Sequence, residues 1–186
     1  SVIVPRAVVP VDVASNGRQH VVVAAGNAFA KGLHQLLIVQ ENMLLDGHQD
    51  CVPLAEGNVD GQAIAAAFTS RDELLVQTRE PAALHIMTKD LSRAAKTIPL
   101  SNISRKDTGH DIFHATAGRM LACATCHAEG GDDGHTWSFG DIGPRRTPSL
   151  LGTMKNTAPF HWDGSVANVQ GLTDGTFRER MAGPYL

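Results

Sequence analysis

A chain of 186 residues with 42% hydrophobic and 19% charged residues has enough apolar material for a packed core and too little charge imbalance for an extended disordered chain. Its formal net charge of −3, with basic residues scattered except for Arg145 and Arg146, argues against a nucleic-acid or anionic-membrane binder. No run approaches the ~18 apolar residues of a membrane span, and three Cys, an odd number with two close together, argue against a disulfide framework.

The start, Ser-Val-Ile-Val-Pro, lacks both an initiator Met and a signal-peptide pattern and reads as processed. Short apolar runs come next at residues 7–13, 20–25 and 35–40, rich in Val and Ile and broken by turn chemistry such as Ser15-Asn16-Gly17. A second set runs through 62–68, 73–77, 82–88 and 96–100, with polar breaks such as Ser70-Arg71-Asp72. These pieces predict strands. The third strand of one set carries Leu-Leu-Ile-Val and that of the other Leu-His-Ile-Met, a weak internal repeat. Its spacing of roughly 50 residues is close to a propeller blade, which buries its faces against neighbouring blades. Two blades cannot close a ring, so either the segment forms some other small sheet or, the favoured reading, the chain is a piece of a longer protein whose remaining blades lie upstream or on another chain. Nothing in this region converges polar groups: Cys51 stands alone, and His34, His48 and His85 read as hydrogen-bonded structural groups.

The texture changes near residues 100–108. The stretch 108–118 predicts a short helix with Asp107 or Thr108 as N-cap and Gly118 as its stop. His110 and His114 stand at i and i+4 on it, a spacing that suits a metal pair but more commonly marks surface histidines. Then comes Cys123-Ala124-Thr125-Cys126-His127. Two thiols three positions apart on a tight helical turn can each form a thioether to a haem vinyl group while the next side chain reaches the iron; this pentapeptide reads as c-type haem attachment, with His127 as an axial ligand. A zinc site needs two further ligands at short paired spacing, and a thioredoxin-like centre needs a βαβ setting. The chain beyond Cys126 is instead a Gly- and Asp-rich loop, Glu129-Gly130-Gly131-Asp132-Asp133-Gly134. A neutral Met thioether is a common second ligand and raises the reduction potential relative to a second His. Met154 and Met181 both lie downstream of the motif, and spacing alone does not choose between them.

Arg145-Arg146-Thr147-Pro148-Ser149-Leu150, then Ala158-Pro159-Phe160-His161-Trp162-Asp163-Gly164, then Met181-Ala182-Gly183, together with the haem pentapeptide, form four ordered markers. Over about residues 108–186 the chain resembles the bacterial dihaem cytochrome c peroxidase family, which includes methylamine-utilisation haem proteins. The resemblance implies Met181 as the distal ligand of a His/Met haem, His161 and Trp162 as residues of the haem pocket, and Arg145 or Arg146 as a propionate partner. Family members carry two haem motifs, whereas this chain has one.

The expected fold class is α+β and multidomain: residues 1–104 an all-β, propeller-blade-like and incomplete segment, residues 105–186 a mainly α c-type cytochrome domain truncated at its C-terminus. The expected function is electron transfer through one covalent haem c. An alternative is peroxidase or related haem oxidoreductase chemistry in a multihaem assembly, with His114, His135 and His161 as candidate acid–base groups. A third reading is a β-type binding module with a haem sensor. The expected partner is a redox protein or a companion chain carrying a second haem, and the expected location is the periplasm or another extracytoplasmic space.

Overall fold

The computed structural model describes residues 7, 9–29, 31–40, 53–117, 121–152 and 154–184. Cys51, His48 and Gly118 lie outside the described residues. The chain divides into two compact units, Ser1–Ala115 and Thr116–Leu186.

The first unit holds two antiparallel sheets of four strands each. Strands β1 (Pro10–Ser15), β2 (Gln19–Ala24), β3 (Leu36–Gln40) and β4 (Ala55–Gly57) lie side by side in chain order, as do β5 (Ala63–Phe68), β6 (Leu74–Thr78), β7 (Ala83–Met87) and β8 (Ala94–Pro99). The β1–β2 turn forms at Ser15-Asn16-Gly17 because the Asn16 Oδ1 accepts from the backbone N–H groups of Arg18 and Gln19, each at 3.0 Å, an Asx turn. The Asn16 amide also donates to Asp72 at 2.7 Å, tying this turn to the equivalent β5–β6 turn of the other sheet.

Period-two alternation sends Ala14, Val21, Val23, Leu36 and Ile38 from the first sheet toward Ala63, Leu74, Val76 and Met87 of the second, with Leu91 closing the cluster. The opposite face of the first sheet is also buried, at Val22, Leu37 and Val39. Gly57 belongs to this packing: a Cβ there would collide with the carbonyl of Leu91. Strands β3 and β7 correspond in the repeat, yet Leu36 and Ile38 face the shared core while their counterparts Leu84 and Ile86 alternate out of it and stay half-buried. Like faces of the two sheets therefore point the same way, a head-to-tail stack.

Helix α1 (Thr108–His114) comes after β8. The Asp107 carboxylate caps it, accepting from Gly109 N at 2.9 Å and His110 N at 3.2 Å, and these bonds hold Asp107 below the usual carboxylate range. It stops at His114 because Ala115 is extended, and it belongs to the β unit, where His110 Nε2 donates to Gln62 Oε1 at 2.9 Å.

The second unit overturns the expectation of a mainly α haem domain. Its α-helices are α2 (Cys123–Cys126) and α3 (Val169–Leu172), four residues each, with a π-helical segment from Thr173 to Arg180. Between them lie short 3-10 turns and a two-stranded antiparallel sheet of β9 (Thr136–Phe139) and β10 (Gly143–Arg146). The reason is local: Gly130, Gly131, Gly134, Gly140, Gly143, Pro144, Pro148, Gly152, Pro159 and Gly164 punctuate the stretch between α2 and α3. Gly costs about 1 kcal/mol and Pro about 3 kcal/mol inside a helix, so no long helix survives there. Among the described residues, no helix is long and apolar enough to cross a membrane.

Candidate functional site

Cys123 and Cys126 sit at the two ends of α2. Thr125 Oγ1 accepts from Ala122 N at 3.1 Å, and His127 N donates to Cys123 O at 3.0 Å, so the turn is closed from both sides and His127 leaves it as the C-terminal cap. The chain then turns away sharply: Gly130 N donates to His127 O at 2.9 Å, and Glu129 and Gly130 both take left-handed backbone. Leu150 N donates to Gly130 O at 2.8 Å, so the Arg-Thr-Pro-Ser-Leu stretch runs alongside the loop that leaves His127.

Both cysteines are free thiols and half-buried. Burial pushes the Cys123 thiol up; burial, then the charges of Asp133 and Cys123, do the same to Cys126. A thioredoxin-like pair needs the opposite, a thiolate stabilised near neutral pH. Among the described residues no three His, Cys, Asp or Glu side chains gather as a metal site, so the further ligands that zinc would require are not supplied there. The His127 Nδ1 is buried with no hydrogen-bond partner, a state that costs about 1–3 kcal/mol for a polar atom. A ring that the protein's own groups do not satisfy suits an imidazole whose role is ligation, and two protonated thiols on one turn suit vinyl addition. On donor chemistry, these residues fit a covalently attached haem.

Asp133 organises the loop beyond the motif. Its carboxylate accepts from His135 N at 2.9 Å and from the indole N–H of Trp137 at 2.8 Å. The Asp-Gly-His run carries the signal of an Asx turn, but nothing in the sequence marks Asp133 as the anchor of Trp137. His135 stacks loosely on that Trp, with ring centroids 5.5 Å apart.

Arg145, Arg146, Trp162 and Asp163 come together with Pro144 around an open groove of about 370 Å³. The indole of Trp162 donates to the Arg146 carbonyl at 2.6 Å, yet its side chain remains 60% exposed on the rim. Arg146 pairs with Asp132 at 3.4 Å in an exposed ion pair of small energetic weight. Arg145 donates to Pro144 O at 2.8 Å.

His161 lies in a loop closed by mutual backbone bonds between Phe160 and Val166, at 2.7 and 3.3 Å. It holds a left-handed φ of 67°, uncommon for a residue with a Cβ. Its Nε2 shares a hydrogen bond of 3.1 Å with Thr176 Oγ1 in the π-helical segment. Met181 caps that segment, half-buried, its N–H donating to Thr176 O at 3.1 Å. Gly183 packs against the buried ring of Phe177: a Cβ there would lie 2.5 Å from a ring carbon, which is why Met-x-Gly needs its glycine. Sequence reading missed Thr176 and Phe177, and a lone Thr and Phe among charged residues give no signal. Met154 sits in a separate turn, its carbonyl accepting from Thr157 Oγ1 at 2.9 Å.

Two other histidines, His110 and His114, are engaged in the first unit. His110 and His114 stack at 3.9 Å between ring centroids, but His114 Nδ1 donates to the His110 carbonyl at 2.9 Å and His110 Nε2 is spent on Gln62. The first unit also has a cavity of about 530 Å³ whose lining includes Asn27, Gln35, Gln62, Arg79 and Lys106. It contains none of the predicted site residues. Gln35 uses its carboxamide on Val59 O at 3.1 Å and Ala63 N at 2.7 Å, which makes it a loop tie.

Comparison with protein-family models, with curated proteins and with solved structures gave no match in any of the three.

Proposed function

We propose that the second unit binds one haem c through Cys123 and Cys126, with His127 and Met181 as axial ligands, and that the protein transfers electrons. The observation that carries this reading is the seating of both thiols on one four-residue helical turn that His127 caps. Bound haem supplies one-electron cycling of iron. The chain's own residues would hold it: α2 would fix the two attachment points, and Arg145 or Arg146 would compensate a propionate. His161 and Trp162 belong to the surroundings of the haem in this reading, Trp162 on its exposed side. Two protein ligands on the iron favour outer-sphere transfer over peroxide chemistry.

The four ordered markers support kinship with the dihaem cytochrome c peroxidase and methylamine-utilisation proteins, and the single haem motif then calls for a redox partner or a companion chain with a second haem. Covalent haem attachment takes place outside the cytoplasm, so the protein works in the periplasm or an equivalent compartment. Intact-mass measurement on the purified protein, with the reduced pyridine spectrum, tests the core of this: one haem per chain that survives denaturation is expected. Titratable thiols at both Cys123 and Cys126 would refute it.

A further inference from the structure

Two segments distant in sequence, the His161 loop and the π-helical segment from Thr173 to Arg180, meet at the turn that carries Met181. Thr176 is held twice. Its side-chain oxygen bonds His161 Nε2 at 3.1 Å, and its carbonyl accepts the Met181 N–H at 3.1 Å. One turn on, Phe177 O accepts from Gly183 N at 2.9 Å, and the Phe177 ring packs over Gly183. Between them Ala182 takes a left-handed φ of 56°, so the backbone reverses after Met181, and these two carbonyls tie the reversal down. His161 is itself immobilised, since the Phe160–Val166 pairing closes its loop. A π-helix, with its wide i to i+5 bonds, is a rare way to end at a side chain and recurs at functional sites. The hydroxyl of Thr176 makes a side-chain bond between that segment and the His161 loop.

Resting on the reading of Met181 as an iron ligand, we propose that His161 is a positioning residue for it: through Thr176 it fixes the turn that carries Met181, so that the thioether would be held ready to bind the haem iron. His161 touches neither the iron nor a substrate in this role. Its effect passes through one hydrogen bond and one carbonyl.

The experiment uses the full-length holoprotein and four variants: His161→Ala, His161→Gln, Thr176→Val and Thr176→Ser. The readouts are the far-red charge-transfer band of thioether-bound ferric iron and the rate of cyanide binding. The Ala and Val variants should lose most of the band and bind cyanide roughly fivefold faster or more, about the factor that one net hydrogen bond represents. The Gln and Ser variants, which keep a partner for the bond, should resemble the wild type. A His161→Ala protein with the full band and wild-type cyanide kinetics would overturn the proposal. So would equal loss in all four variants, which would assign the effect to packing. If His161→Ala fails to fold, the Thr176 pair decides alone, because relative to Thr the Val variant exchanges only the hydroxyl for a methyl and the Ser variant loses only the methyl. A wild-type holoprotein that carries covalent haem but lacks the band would remove Met181 as a ligand and the positioning role with it, whereas a wild type without covalent haem would defeat the parent reading first.

Discussion

In the first unit Val21, Val23, Leu36, Leu37, Val39 and Val76 have no exposed surface at all, whereas the buried apolar residues described in the second are Ala117, Ala122, Ala124 and Phe177. Fully burying a Val or Leu contributes about 1.5–3 kcal/mol and an Ala far less, so the β unit stabilises itself by ordinary packing. The second unit instead leaves Leu121, Trp137, Ile142, Leu151, Trp162 and Val169 substantially exposed. Small units with so little apolar burial commonly rely on a disulfide, a metal or a cofactor to hold their fold. The two halves therefore differ in how far their own packing holds them, and the second is the one that the proposed haem, tethered at Cys123 and Cys126, would complete.

The harshest way to break this comparison is the double substitution Cys123→Ser/Cys126→Ser. Covalent haem should fall from one per chain to none by intact mass, and limited proteolysis should cut the second unit about tenfold faster or more while the β unit persists as a protected fragment. Equal resistance of both units would mean that the second is held by something other than the proposed haem. The reciprocal cut is Leu36→Ala. Removing a fully buried side chain from between the sheets should cost about 2–5 kcal/mol of the β unit's stability in denaturant titration and leave the haem absorption spectrum unchanged.

How far each half could be read in the sequence tracks the same division. The strands were legible because Val- and Ile-rich runs, alternation and the Ser15-Asn16-Gly17 turn are local signals, and β3 and β7 carry the Leu-Leu-Ile-Val and Leu-His-Ile-Met pattern that the repeat rests on. The tight helical turn at Cys123–Cys126 was legible too, since its residues and the cap His127 fall within five consecutive positions. The helical content was not. It came from the resemblance, against the Gly and Pro residues that punctuate residues 128–165, and the local residues prevailed. Also hidden were the Thr176 and Phe177 contacts, which join segments 15 residues apart for His161 and Thr176 and depend on where a π-helical turn places its carbonyls.

A finer cut within the second unit is Gly183→Ala. The added Cβ meets the Phe177 ring at 2.5 Å, so either the ring or the Met-Ala-Gly turn has to move. Overpacking of this kind costs about 1–3 kcal/mol. The expected result is a weakened far-red band with the β unit's unfolding midpoint unaltered, and an unchanged band would show that the turn yields without displacing Met181.

The smallest expected effect lies in the β unit and depends on pH. His85 is 2% exposed on β7, with Nε2 against Thr78 Oγ1 at 3.2 Å and Nδ1 against Thr97 Oγ1 at 3.1 Å. Burial pushes its pKa below the ordinary imidazole value of 6.5, and the nearby Asp60 only partly opposes this. In the folded unit His85 is thus reluctant to take a proton that the unfolded chain accepts. Its contribution to stability is complete above the unfolded value near 6.5 and declines as the pH falls toward and through the lower folded value. Urea midpoints of the β unit should fall on acidification from pH 7 to 5, and His85→Gln, which removes the titration, should flatten that part of the profile while lowering stability at pH 7. The second unit's haem spectrum should stay constant over the same range, because His85 belongs to the sheet stack and to no part of the attachment turn. A wild-type profile as steep after the substitution as before would overturn the assignment of this acid sensitivity to His85.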